Sequence, residues 1–126
     1  MAKILLVDDE PEIAHLTGLM LGKVGYEMVA AEDSVECFER LKEGTPDLIL
    51  MDIMMPGDDG WVTCKKIKED EKTKDIPVAM FTVRTSDDSV KKSFEYAHAD
   101  AHINKPFHME EFLNTVKGLL EKAVPS

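Results

Sequence analysis

Short apolar runs alternate along the chain with stretches in which apolar residues recur every three or four positions, the signature of strands alternating with helices. Residues 3–7 carry the run Ile4-Leu5-Leu6-Val7, cut off by Asp8-Asp9-Glu10, as expected of a strand buried on both faces. Pro11 suits a first helical turn, Ile13, Leu16 and Met20 give a stripe, and Gly25 supplies the stop. Residues 26–31 read as a second strand. Asp33 with Glu36 three residues on is a capping-box-like start to a helix whose stripe is Val35, Phe38 and Leu41 and which ends at Gly44. Residues 48–51 are the third strand. The breaker-rich segment Met54-Met55-Pro56-Gly57-Asp58-Asp59-Gly60 must be a loop, after which Trp61, Cys64 and Ile67 restart a helical stripe. Residues 78–82 form a fourth strand, and Ser86 can cap a helix carrying Val90, Phe94 and Ala97. Residues 101–104 make a short fifth strand, and Met109, Leu113, Val116 and Leu120 mark a last amphipathic helix.

Parallel strands require crossovers, so strands alternating one for one with helices predict a parallel sheet covered on both faces, a doubly wound α/β domain. The 126 residues have room for one such domain, and no repeat or linker divides residues 1–126. The formal net charge of −10 sets the surface against phosphate backbones and anionic membranes, which argues against direct nucleic-acid binding. Cys37 and Cys64 form no C-x-x-C pair and sit in apolar patterns, so they read as small core residues in a reducing compartment. The first apolar run is too short for a signal peptide and no stretch approaches a membrane span, so the expected location is the cytoplasm.

In doubly wound sheets, ligands bind beyond the carboxyl ends of the strands, where the winding reverses. The residues just past each strand therefore mark the site: Asp8-Asp9 after the first, Asp52 after the third, Thr82 at the end of the fourth and Lys105 after the fifth. Three converging acids repel and take up protons unless a cation neutralises them. Oxygen ligands at a rigid strand edge suit Mg²⁺ better than Ca²⁺. A metal, an ammonium and a hydroxyl around one carboxylate can stabilise a phosphoryl group in flight, with Asp52 as the nucleophile.

At these residues the chain, from Lys3 to about Leu120, resembles the receiver domain of two-component response regulators, the chemotaxis response regulator type included. Asp8-Asp9 resembles the acidic pair, Asp52 with Met54-Met55-Pro56 and Asp59-Gly60 the phosphoacceptor loop, Thr82 the hydroxyl position, and Lys105-Pro106-Phe107 the lysine-proline signature. The resemblance implies a five-stranded sheet in the flavodoxin-like order 2-1-3-4-5 with five helices. It implies that Asp52 accepts the phosphoryl group, that Asp9 and Asp52 ligate Mg²⁺ directly (Mn²⁺ substituting), that Asp8 acts mainly through water, and that Met54 contributes its backbone carbonyl. Thr82 would hydrogen-bond the phosphoryl group and Lys105 would pair with one of its oxygens; in similar proteins the Lys105–Pro106 bond is cis. The donor would be a sensor histidine kinase or a histidine phosphotransfer protein. The reader would be an effector protein at the face formed by the fourth helix, fifth strand and fifth helix. Such a domain is a switch with self-catalysed phosphotransfer and autodephosphorylation, not an enzyme acting on other substrates.

Two positions depart from the family pattern. Val83 follows Thr82 where most relatives carry a small residue, which would narrow access to the acyl phosphate. His102 stands where many relatives place a Tyr or Phe that turns inward on activation, so the aromatic part of the switch differs here. Other classes fit less well. An aspartyl-nucleophile phosphohydrolase of the haloacid dehalogenase type needs Asp-x-Asp after the first strand and a cap, and a flavodoxin-like carrier needs a Ser/Thr-rich phosphate loop where this chain has Asp8-Asp9-Glu10. His98 and His102 have the i, i+4 spacing of a metal pair but fall on a helix end and a strand.

Overall fold

In the computed structural model, which describes residues 2–84, 86–105 and 108–123, the apolar runs become strands β1 (Lys3–Val7), β2 (Glu27–Ala31), β3 (Leu48–Met51), β4 (Val78–Thr82) and β5 (Ala101–Asn104). The periodic stretches become helices α1 (Pro11–Lys23), α2 (Ser34–Glu43), α3 (Gly60–Glu69), α4 (Asp87–Glu95) and α5 (Met109–Ala123). The strands are all parallel, in the order β2-β1-β3-β4-β5. The doubly wound class and the strand order are as the sequence and its resemblance imply.

Successive strand side chains point to opposite faces, and this divides the core in two. Leu5, Val7, Ile49, Met51, Val78 and Met80 pack with Cys37, Trp61, Cys64 and Ile67 on the α2–α3 side. Ile4, Leu6, Leu48, Leu50, Ala79 and Phe81 pack with Met20, Leu21, Phe112, Val116 and Leu120 on the α1–α5 side. Burial on both faces is why the central strands read as unbroken apolar runs. Both cysteines are buried and free, with thiols pushed up to about 12 by burial, which makes them inert packing groups.

The caps expected at Asp33 and Ser86 form, and Asp59 adds one that the sequence reading did not single out. Asp33 accepts from the Glu36 amide at 2.8 Å, Asp59 from Val62 at 2.9 Å and Ser86 from Ser89 at 3.2 Å. The α3 stripe of Trp61, Cys64 and Ile67 is buried as expected.

Elsewhere the stripes are rotated from expectation. In α1, Leu16 is exposed and Thr17, Met20 and Leu21 are buried; in α2, Val35 is exposed and Ser34 and Cys37 are buried; in α5, Met109 is exposed and Phe112 buried. The largest departure is α4. The expected stripe of Val90, Phe94 and Ala97 keeps only Ala97 in the core, while Ser89 and Ser93 are the buried residues of the helix and Phe94 is 42% exposed. The reason lies across the interface, where the Trp61 indole N–H donates to Ser93 Oγ at 3.0 Å, so a hydroxyl is required on the inner face of α4.

Candidate functional site

The winding of the sheet reverses between β1 and β3, and the acids after both strands are set there by extensions of the sheet ladder. The Asp52 amide donates to the Val7 carbonyl at 2.9 Å, and the Asp8 amide to the Ala31 carbonyl at 2.9 Å. At the neighbouring edge the Lys105 amide donates to the Thr82 carbonyl at 2.8 Å, which carries the lysine toward the same end of the sheet. Side chains 97 residues apart then meet: Lys105 Nζ lies 2.5 Å from Asp8 Oδ2 and 3.8 Å from Asp52 Oδ2.

This centre is dry for so charged a group. Asp8, Asp52 and Lys105 are 3%, 4% and 8% exposed, and the Lys105 ammonium also lies 5.0 Å from the centre of the Phe81 ring. One ammonium between two buried carboxylates leaves an excess of negative charge. Burial pushes the Asp52 carboxyl up to about 6; Lys105 lowers it, Asp8 raises it again, and the Met54 amide, 3.4 Å from Asp52 Oδ1, gives weak relief.

The exposed Asp9 and Glu10 complete the acidic group, since carboxylate oxygens of Asp8, Asp9, Glu10 and Asp52 all lie within 4.8 Å of one another. Hard oxygen donors with surplus negative charge are the chemistry that holds a divalent cation. Glu10 is absent from the ligand set expected from the sequence; its signal was its place at the end of the acidic run, where the backbone turns so that its own amide bonds to Asp8 Oδ1 at 2.9 Å. The structure places no histidine in such a group among the described residues, and both ring nitrogens of His102 are engaged elsewhere, by Ser93 and the Arg84 carbonyl.

Thr82 is fully buried, and its Oγ1 accepts from the Arg84 amide at 3.2 Å. Val83 and Met54, next in sequence to Thr82 and close after Asp52, are 60% and 56% exposed. The loop after Asp52 is shaped by Gly60, where a Cβ would lie 2.1 Å from the Asp52 carbonyl oxygen, so that only glycine lets α3 start directly against the acid-bearing loop. Pro106 and Phe107, and with them the expected cis bond, lie outside the described residues.

His102 on β5 is half-buried. Its Nε2 is 2.9 Å from the Arg84 carbonyl oxygen and its Nδ1 2.9 Å from Ser93 Oγ. Burial lowers its pKa, with the bond to the Arg84 carbonyl acting the other way.

A doubly wound five-stranded sheet with acids and a lysine gathered at its switch point defines a class, and comparison with known proteins gives that class its name. The chain belongs to the response regulator receiver domain family, whose model it matches over residues 4–117. It is 36% identical over 122 residues to the DNA-binding dual master transcriptional regulator RpaA of Synechocystis sp., a match that covers 97% of this chain and 50% of that protein. It is also 36% identical over 123 residues to the phosphate regulon transcriptional regulatory protein PhoB of Escherichia coli, covering 98% of this chain and 53% of the relative. The chain thus spans about half the length of the curated relatives it matches.

Among solved structures, the signal receiver domain of a signal transduction histidine kinase from Syntrophus aciditrophicus superposes with a TM-score of 0.92 at 30% identity, covering 100% of this chain and 95% of that one. The response regulator TrrA of Thermotoga maritima, solved with Mg²⁺ and beryllofluoride, superposes with a TM-score of 0.83 at 35% identity, covering 94% of this chain and 99% of that one. The chain is a receiver domain of two-component response regulators, and its role is that of a phosphorylation-controlled signalling switch. No helix among the described residues is long and apolar enough to cross a membrane.

Proposed function

We propose that Asp52 is the phosphoacceptor and that residues 1–126 act as one switch domain. The observation that carries this reading is the position of Asp52: 4% exposed, 3.8 Å from the Lys105 ammonium, and grouped with Asp8, Asp9 and Glu10. An Asp52 oxygen attacks the phosphorus of a phosphohistidine on a sensor kinase or phosphotransfer protein. The new O–P bond forms as the P–N bond breaks, and the imidazole leaves with the electron pair and takes up a proton. Lys105 moves from pairing with Asp8 and Asp52 toward a phosphoryl oxygen, and Thr82 turns its hydroxyl onto another. Water reverses the modification by attack on the same phosphorus, returning the Asp52 carboxylate.

Asp8, Asp9 and Asp52, with the main-chain carbonyl of Met54, are the residues that would hold Mg²⁺, with Mn²⁺ able to replace it. Bound there, the cation supplies the charge neutralisation that three converging carboxylates lack. That the similar response regulator TrrA was solved in complex with Mg²⁺ and beryllofluoride supports this reading. The partners follow from the chemistry: a histidine-phosphorylated donor, and an effector protein read at the face of α4, β5 and α5. The charge of −10 argues against direct nucleic-acid contact by this domain, and the absence of a long apolar helix among the described residues fits a cytoplasmic location.

The test is incubation with acetyl phosphate or phosphoramidate, then mass spectrometry. Phosphate uptake is expected with Mg²⁺, is expected to vanish with EDTA, and is expected to be lost in Asp52→Asn; undiminished uptake in that variant would overturn the assignment. Asp9→Ala should weaken uptake through the metal, whereas Lys105→Ala should leave metal binding largely intact and weaken the response of the fold to phosphorylation. Val83→Ala should speed both uptake from small donors and hydrolysis, and unchanged rates would dispose of a steric role for the branched side chain.

A further inference from the structure

We propose that Ser93 and Trp61 form an output arm that carries the state of Asp52 into the α3–α4 surface, through a series of hydrogen bonds starting at Thr82. This rests on the reading of Asp52 as the phosphoacceptor and adds two residues which that reading does not use. The bonds run atom to atom. Thr82 Oγ1 accepts from the Arg84 amide at 3.2 Å, and the carbonyl oxygen of Arg84 lies 2.9 Å from His102 Nε2. A carbonyl can only accept, so Nε2 carries the proton, and the neutral ring leaves Nδ1 as an acceptor. Ser93 Oγ, 2.9 Å away, therefore donates to Nδ1, while its lone pair accepts from the Trp61 indole N–H at 3.0 Å.

The Ser93 hydroxyl makes this arm two-state. It has one proton and, among the described residues, two acceptors in reach, Nδ1 of His102 and the Ser89 carbonyl oxygen 3.1 Å away in its own helix. While the imidazole points inward the proton is committed to the ring; when the ring leaves, the proton falls back to the helix. Ser93 is fully buried and Trp61 only 6% exposed, so water does not stand in for either partner at little cost. The change has a surface to act on, because the Trp61 ring carries the Lys92 ammonium at 4.4 Å and the Arg84 guanidinium at 5.3 Å. A shift of the indole moves both cations at the α3–α4 face. Movement of Thr82 toward a phosphoryl group pulls the peptide of Arg84, whose N–H is bonded to Oγ1 and whose carbonyl holds the imidazole. Ser93 and Trp61 are thus positioning residues, remote from the reacting atoms.

Trp61 is the only tryptophan of the chain, so its indole gives a single NMR signal. The ¹⁵N-labelled protein is titrated with beryllofluoride in the presence of Mg²⁺, and the Trp61 indole N–H is monitored beside the amides of Met54 and Arg84. The expected result is that all three shift together. In His102→Phe, which keeps a ring but no nitrogen, the Met54 amide should still shift and the indole response should be lost; Ser93→Ala should lose it as well. An indole that responds in His102→Phe as in the parent overturns the arm while leaving the acceptor reading intact. A parent protein in which the Met54 and Arg84 amides respond and the indole does not has the same meaning. If no signal near Asp52 responds in the parent, the acceptor reading fails and the arm fails with it.

Discussion

Helices α5 and α4 flank the same strand, β5, and are held by different physics. Helix α5 sends Phe112, Val116, Leu119 and Leu120 into the core, and Phe112 stacks on Phe81 with ring centres 5.3 Å apart. Among the described residues helix α4 sends none into either apolar cluster; its buried residues are Ser89 and Ser93. Burying a large apolar side chain contributes about 1.5–3 kcal/mol, whereas a net hydrogen bond contributes about 1 kcal/mol. A helix docked by a few directional bonds can exchange one set for another at small cost, and a helix wedged in by packed side chains cannot. On this contrast α5 should be the more firmly anchored of the two helices and α4 the more easily loosened.

The first way to break this contrast is to cut the anchor of α5. Phe112→Ala should lower stability by about 3–5 kcal/mol in urea unfolding, since it leaves a cavity against Phe81. A loss comparable to that of a serine substitution would show that α5 is no better anchored than α4. The acid centre past the ends of β1 and β3 should respond in the opposite direction. A carboxyl raised to about 6 contributes stability that is fully present below its unfolded value near 4 and lost as pH rises through about 6. Asp52→Asn should therefore match the parent at low pH and exceed it by about 1–3 kcal/mol at pH 7–8 without divalent cation. Mg²⁺ should stabilise the parent and narrow that gap. Equal stabilities at pH 8 would show that Lys105 already neutralises the centre.

Ser93→Ala tests the α4 side directly. It should cost about 1–2 kcal/mol, because the Trp61 indole N–H loses its buried acceptor, and it should speed amide exchange in α4 far more than in α5. Uniform protection across both helices would remove the distinction. A smaller effect, of about 1 kcal/mol, is expected just past α4. His98 adopts φ = +59°, a left-handed conformation that costs a side chain and suits glycine, so His98→Gly should raise stability. The smallest is a pH effect at His102, whose lowered pKa favours the neutral ring in the fold. Its contribution is complete above the unfolded value near 6.5 and is lost as pH falls through the lower folded value, so acid should loosen α4 before α5. His102→Phe should remove that dependence, as read by exchange at pH 5.5 against pH 7.5.

Much of this molecule is written in short segments. Strand bounds, helix caps and the acids after β1 and β3 depend on a few consecutive residues: an apolar run buried on both faces, an Asp or Ser placed to accept an amide, a turn that breaks the run. The convergence of Asp8, Asp52 and Lys105 was legible too, although 97 residues separate Asp8 from Lys105, because a parallel sheet brings the carboxyl ends of its strands to one edge. The inner face of α4 was not legible in this way. Val90 and Phe94 outrank serines on any scale of hydrophobicity, and only a partner that demands a hydroxyl reverses the ranking.

That partner is Trp61, 32 residues earlier in the chain, and the bond to His102 spans a further 9. The entry of Glu10 into the acidic group and the pKa of Asp52 near 6 belong to the same kind of fact. By itself the sequence determined the strands, the helices, their order and the edge on which the acids and the lysine meet, since local pattern and the geometry of parallel sheets suffice for these. Only the tertiary structure decided which face of α4 turns inward, how dry the carboxylates become, and which hydroxyl receives the indole. Each of those depends on the atoms that distant segments bring to within about 3–4 Å, the range over which hydrogen bonds form and water is excluded.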